Sequence, residues 1–214
     1  ASSPTDPNAG LWLSYGRGLS EQRYSPLNSI NTSNVGRLGL SWTYELGAGG
    51  GDQEATPLFW NNTLYYITNW SVVHAIDAKT GKNLWKFDPE INQQTRLKMC
   101  CGIVNRGIAI ANGMIFLPAN DGRLFALDAL TGKPMWEARV AYSQDWYSIT
   151  MAPRVAGNKV MIGVAGGDPW PPLHASTFDV DERCIGTGIA ALHALGPSNV
   201  HRLTWAPVRE AAAR

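Results

Sequence analysis

Apolar residues in this chain gather in short runs bounded by Gly, Asn, Asp and Pro. "TLYYITN" from Thr63 and "MIFLPAN" from Met114 are representative, and no long helical pattern is evident. Runs of this length between turn residues predict β-strands. The two runs lie 51 residues apart, and each leads into a second matching stretch. Ala75–Trp85 reads "AIDAKTGKNLW" and Ala126–Trp136 reads "ALDALTGKPMW". A period of this size in a chain of short strands is the mark of propeller blades. In each repeat the "DAKTG" or "DALTG" stretch predicts a turn between two strands. Asp77 and Asp128 are suited to accept hydrogen bonds from turn amides, and Gly81 and Gly132 to supply a positive φ. Trp85 and Trp136 are then expected to pack between neighbouring blades. A third unit, "APRVAGNKVMIGVAGG", repeats the strand, Gly-Asn turn, strand pattern. Val160 lies only 45 residues after Ile115, whereas Asp179 lies 51 after Asp128, so extra residues enter between them. Beyond Asp181 the pattern fails: Thr187 stands where a docking tryptophan is due. The expected fold is all-β, a partial β-propeller of about three to four blades. Residues 1–181 are read as blades and 182–214 as a divergent tail to which the pattern assigns no structure. Ahead of the repeats, "YSPLNSINTSN" reads as a turn-rich surface arm with at most a short helix near Ser33–Leu38.

Composition narrows the function classes. The chain is 44% hydrophobic and 16% charged, enough to bury a core. Its formal net charge of +1 and lack of a basic tail give no support for nucleic acid as a partner. No apolar run approaches the ~18–20 residues of a membrane helix. The opening "ASSPTDPNAG" is polar and reads as the exposed end of a processed protein.

The segment "KMCCGIVNRG" places Cys100 directly beside Cys101. Consecutive Cα atoms are about 3.8 Å apart, while an ordinary disulfide spans roughly 4.4–6.8 Å. A bridge between neighbours therefore closes a small strained ring; the alternative is a pair of reduced, packed thiols. Cys184 has no evident partner in the sequence.

Several stretches together resemble the N-terminal part of the quinoprotein alcohol dehydrogenases. They are "LSYGRGLSEQRYSPLNSINTSNVGRLGLSWTYEL", "QEATPL", "CCGIVNRG", "LDALTGKPMW", "SITMAPRV" and "IGVAGGD". The resemblance covers roughly residues 10 to 168. It implies a periplasmic eight-bladed propeller using pyrroloquinoline quinone and calcium to oxidise primary alcohols, with electrons leaving to cytochrome c or another acceptor. It also implies a disulfide between Cys100 and Cys101 whose ring lies against one face of the quinone, in keeping with an oxidising compartment. By the same resemblance Glu54 hydrogen-bonds the cofactor, Arg106 contacts the quinone oxygens and Thr150 donates to a cofactor carboxylate. Ala165, Gly166 and Gly167 match a stretch whose backbone passes close to the cofactor, although a simple turn is an alternative there.

The chain also departs from the family pattern. Asp168 stands where the family usually has glutamate. His174 occupies the position of a calcium-binding glutamate, and a histidine suits a hard cation poorly. The matched region holds no counterpart of the aspartate base. Two readings therefore compete: a quinone-dependent dehydrogenase, inactive or weak in this form, and a non-catalytic propeller scaffold. A hydrolase has no recognisable Ser, His and carboxylate set. An oligomer that completes the propeller is a further expectation.

Overall fold

A computed structural model describes residues 8–47, 52–99, 102–143 and 147–166. Two four-stranded antiparallel sheets form most of it, each a meander in chain order. The first holds β1 (Leu58–Trp60), β2 (Thr63–Ile67), β3 (Val73–Asp77) and β4 (Asn83–Phe87). The second holds β5 (Ala109–Ala111), β6 (Met114–Pro118), β7 (Arg123–Asp128) and β8 (Pro134–Arg139). After β9 (Tyr147–Ser148) a third unit opens on β10 (Arg154–Ala156), followed by β11 (Lys159–Met161) and β12 (Ala165–Gly166). There β10 pairs with β11 across the expected Gly-Asn turn, and β9 pairs with β12. The fold is a partial, unclosed β-propeller, as the repeat predicts. Residues 182–214 and Asp179, Asp181 and Thr187 lie outside the described residues.

The repeat is carried into the backbone in detail. Both complete blades show the same register shift between their third and fourth strands, at Ala75/Ile76 and at Ala126/Leu127. In both, the third strand sits deep while the fourth strand is largely exposed. Strand β5 touches both β1 and β10, so the first strands of three successive units lie side by side. One core, including Leu58, Tyr65, Val73, Ile115 and Leu127, runs across the first two blades. The surface arm carries a short 3-10 turn at Val35–Arg37 and is exposed through Leu27 and Ile30. The segment ahead of the arm is tied to the blades, because Trp12 pairs with Phe59 and Leu13 accepts from the Ile110 amide.

The "DxxTG" turns behave as expected. Asp128 Oδ1 accepts from the amides of Leu130 (3.1 Å) and Thr131 (2.8 Å) and from the Thr131 hydroxyl (2.8 Å). Asp77 repeats this with Lys79 and Thr80. These bonds, the threonine hydroxyl foremost, hold both carboxyls below their ordinary pKa. Gly81 and Gly132 each have φ of +71°, a conformation that favours glycine. The ring of Trp85 lies over Gly132, and its Nε1 donates to Ala129 O at 3.1 Å. Blade one is thereby fastened to blade two.

Trp42 makes the same contact one unit earlier. Its ring covers Gly81, and its Nε1 donates to Ala78 O at 3.1 Å. Two residues on, Tyr44 meets His74 edge-on at 5.7 Å, just as Phe87 meets Phe125 at 5.4 Å. His74 and Phe125 are equivalent positions of the repeat. The segment around Trp42 thus stands to blade one as β4 stands to blade two.

Candidate functional site

Three of the residues singled out in the sequence meet in space. Arg106 Nη1 donates to Thr150 Oγ1 at 2.8 Å, and Arg106 Nη2 lies 2.9 Å from Glu54 Oε2. The Arg106 amide also donates to Thr150 O at 2.8 Å. Each residue sits just ahead of the first strand of its unit: Glu54 before β1, Arg106 before β5, Thr150 before β10. Those strands are neighbours, so the loops entering them converge. Gly107 permits the approach on one side, since a Cβ there would lie 2.9 Å from Ala152 Cβ.

The Arg106 and Glu54 side chains are 40% and 37% exposed. An ion pair this open contributes little to stability, on the order of 0–1 kcal/mol. A guanidinium offers five N–H donors, and the contacts to Glu54 and Thr150 use only part of that set. Thr150 Oγ1 accepts from Arg106, which leaves its own hydroxyl proton for another acceptor. The cluster is therefore a solvent-accessible set of donors around one fixed cation, with a carboxylate beside it. Such a set suits a planar, oxygen-rich anionic ligand.

Ala165 and Gly166 form β12, a strand rather than a turn, and Ala165 pairs with Ser148, two residues before Thr150. Cys100, Cys101, Gly167, Asp168 and His174 lie outside the described residues, so the vicinal pair and the departed calcium position gain no geometry here. Among the described residues there is no group of three or more His, Cys, Asp or Glu side chains placed to hold a metal ion. No helix there is long and apolar enough to cross a membrane.

Sequence reasoning passed over what lies behind this cluster. Asn105 and Asn120 are almost wholly buried, as is Ser71. They are polar residues in loops, and loop polarity reads as solvent exposure unless the packing is known. One signal was present: "TLYYITN" and "MIFLPAN" both end in asparagine, at Asn69 and Asn120.

The fold alone defines the class, a β-propeller built from tryptophan-docked blades. Comparison with known proteins gives the family. Residues 12–177 match the PQQ family, described as glucose/ethanol/alcohol dehydrogenase, beta-propeller domain, and the chain belongs to it. It is 46% identical over 187 residues to the dehydrogenase subunit of the quinone alcohol dehydrogenase of Gluconobacter oxydans, covering 84% of this chain and 24% of that protein. It is 44% identical over 160 residues to the 1-butanol dehydrogenase (cytochrome c) of Thauera butanivorans, covering 74% of this chain and 23% of that protein. The crystal structure of quinohemoprotein alcohol dehydrogenase from Comamonas testosteroni superposes with a TM-score of 0.69 at 44% identity, over 75% of this chain and 24% of that one. A europium-containing methanol dehydrogenase gives a TM-score of 0.70 at 40% identity, over 75% of this chain and 28% of that one. The chain thus spans about a quarter of the length of these relatives.

Proposed function

We propose that this chain supplies one wall of a pyrroloquinoline quinone site in a periplasmic alcohol dehydrogenase. The observation that carries the reading is the convergence of Glu54, Arg106 and Thr150 from three successive units. Their chemistry fits the group: a cation and a free hydroxyl proton for quinone and carboxylate oxygens, and a carboxylate that accepts. When bound, the quinone supplies a two-electron acceptor for alcohol oxidation.

In this reading Arg106 donates to the quinone oxygens and stabilises negative charge that develops on them. Glu54 and Thr150 hold its guanidinium in one plane, so little reorganisation is needed when charge appears. Thr150 points its remaining proton to a cofactor carboxylate. Cys100 and Cys101, a few residues ahead of Arg106, form the disulfide platform for one face of the ring. Ala165, Gly166 and Gly167 give the cofactor a close backbone edge. The alcohol is a small primary one, and the electrons pass to a cytochrome c-type acceptor. Calcium is assigned to none of the described residues.

The test is a titration of the purified chain with pyrroloquinoline quinone, with and without calcium, followed by tryptophan fluorescence and quinone absorbance. Saturable binding is expected, and Arg106→Ala is expected to weaken it by about tenfold or more, as loss of charge-assisted hydrogen bonds does. Equal affinity in both proteins refutes the role of Arg106. No binding to the wild type moves the chain to the non-catalytic scaffold.

A further inference from the structure

Directly behind the Arg106–Thr150 contact lies a closed network of three buried side chains, Ser71, Asn105 and Asn120. The Ser71 hydroxyl donates to Asn120 Oδ1 at 2.7 Å and accepts from Asn105 Nδ2 at 3.1 Å and from the Asn120 amide at 3.1 Å. One donor and two acceptor positions are all a hydroxyl has. Asn105 Nδ2 donates a second time, to Pro118 O at 2.7 Å, and its Oδ1 accepts the Gly107 amide at 3.1 Å. Asn120 Nδ2 donates to Val104 O at 2.8 Å and to Ile149 O at 3.2 Å. Every N–H and O–H in the three side chains is used, and the carbonyl partners fix which way each amide is turned.

The targets of these bonds flank the candidate site. Val104 lies two residues before Arg106, Gly107 one after it, and Ile149 one before Thr150. A single planar amide, that of Asn120, therefore grips both chain segments whose registers decide whether Arg106 reaches Thr150. Ser71 reaches in from blade one, with a φ of +58° that a non-glycine residue rarely adopts. The equivalent position in blade two is Gly122, with φ of +86°. Glycine would suit this backbone at Ser71 too, so the backbone alone does not call for serine, and the hydroxyl is what distinguishes it.

We propose that Ser71, Asn105 and Asn120 are positioning residues that hold Arg106 in register with Thr150, and through them tune the affinity for the quinone. The second half of this rests on the function proposed above; the first half does not. Buried networks of this kind are costly when broken, because each loss leaves other buried groups unpaired.

Ser71→Gly tests it, since glycine accepts the positive φ and removes the hydroxymethyl group that makes the three contacts. Hydrogen exchange of the Arg106 amide, which donates to Thr150 O, is read against the amides of the β6–β7 ladder in the same molecule. The expected result is Arg106 exchange faster by about fivefold to tenfold, with the ladder amides within about twofold of wild type. Quinone titration of the same two proteins is expected to show weaker binding in the variant. Selective loss of Arg106 protection in a chain whose wild type binds no quinone keeps the positioning role and sinks the cofactor reading. Unchanged Arg106 protection, or a loss shared equally by the ladder, overturns the proposal whatever the quinone does. Should Ser71→Gly fail to fold, native-state exchange of the wild type decides. The Arg106 amide and the Asn120 side-chain amide protons must open together with one denaturant dependence, and separate opening overturns the proposal.

Discussion

The tryptophan-over-glycine contact makes a quantitative demand. Replacing Gly132 by alanine places a methyl 2.5 Å from Trp85 Cε3, inside the distance that carbon atoms tolerate. The same substitution forces a residue with φ of +71° to carry a Cβ. Left-handed backbone costs an L-residue about 1–2 kcal/mol. Overpacking a filled interface adds about 1–3 kcal/mol, because the indole must tilt off Ala129 O or the blades must part. Gly113 separates these two costs. Its φ is +73°, nearly the same, yet nothing lies within 4 Å of the Cβ position. Gly113→Ala should therefore show the backbone cost alone.

The assay is thermal unfolding of both variants beside wild type. Each kcal/mol is worth about 2–4 °C in a chain of this size. Gly113→Ala is expected to lower Tm by about 2–8 °C, and Gly132→Ala by a further 2–12 °C or so. A third protein, Gly132→Ala with Trp85→Leu, should lose less than the sum of its two single substitutions, because the smaller side chain yields to the methyl. Equal Tm values for the two alanine variants would refute the reasoning, and so would strict additivity in the double variant. Either result would mean that Trp85 does not bear on the Gly132 turn in solution.

Three further outcomes follow from the same geometry. Trp42→Ala should lower Tm as Trp85→Ala does, by up to about 3–5 kcal/mol of stability, although only Trp85 lies in the clear repeat; an unchanged Tm would show that the segment around Trp42 is not docked. Burial, with Lys86 nearby, lowers the pKa of His74, and the groups around it also include Tyr44, Asp88 and Glu90. Its stability contribution is therefore complete above the ordinary histidine value of 6.5 and is lost as pH falls below it, so His74→Phe, copying Phe125, should flatten the fall in Tm between about pH 7.5 and 5.5. Asp128 has its pKa lowered by the Thr131 hydroxyl and turn amides, so it stabilises the fold above the ordinary 3.8 and loses that effect as pH drops through its folded value; Asp128→Asn should show a shallower acid limb in a pH-melting series.

The repeat was legible because its chemistry is local. An aspartate, a threonine and a glycine within five residues close a turn by themselves, and a tryptophan four residues on needs only the next such turn to dock. Trp42 escaped because no "DxxTG" precedes it; its resemblance to Trp85 lies in what it touches. The Tyr44–His74 pair hid for the same reason, since its counterpart in the next interface is a pair of phenylalanines. Tyr44 accepts from Asn83 Nδ2 at 2.8 Å and lies 3.1 Å from His74 Nδ1, so a hydrogen-bonded imidazole stands in a place that phenylalanine fills elsewhere. Glu54, Arg106 and Thr150 share no spacing that a turn or strand rule selects. They were marked by family resemblance, and only the neighbouring first strands explain why they meet. The Ser71 network was invisible for the opposite reason: its members look like ordinary loop residues until burial is known.

The placement of the candidate site explains why a repeat fold suits it. Each unit delivers one side chain from the loop entering its first strand, and adjacent first strands carry those loops to a common point. No single blade can form the cluster. The Arg106–Glu54 contact crosses from blade two to blade one, and the Arg106–Thr150 contact crosses to the third unit. The tryptophan docking that fixes one blade against the next therefore also fixes the distances at the site, although Trp85 sits on the outer fourth strand and Arg106 at the entry to an inner one. The exposed ion pair at Arg106 is too weak to hold this arrangement by itself. On the proposed reading its precision comes from the half-buried indole over Gly132 and the buried Ser71–Asn105–Asn120 network. In the proposed site, binding chemistry is thus carried by accessible charged groups, and their geometry by neutral groups packed behind them and between the blades.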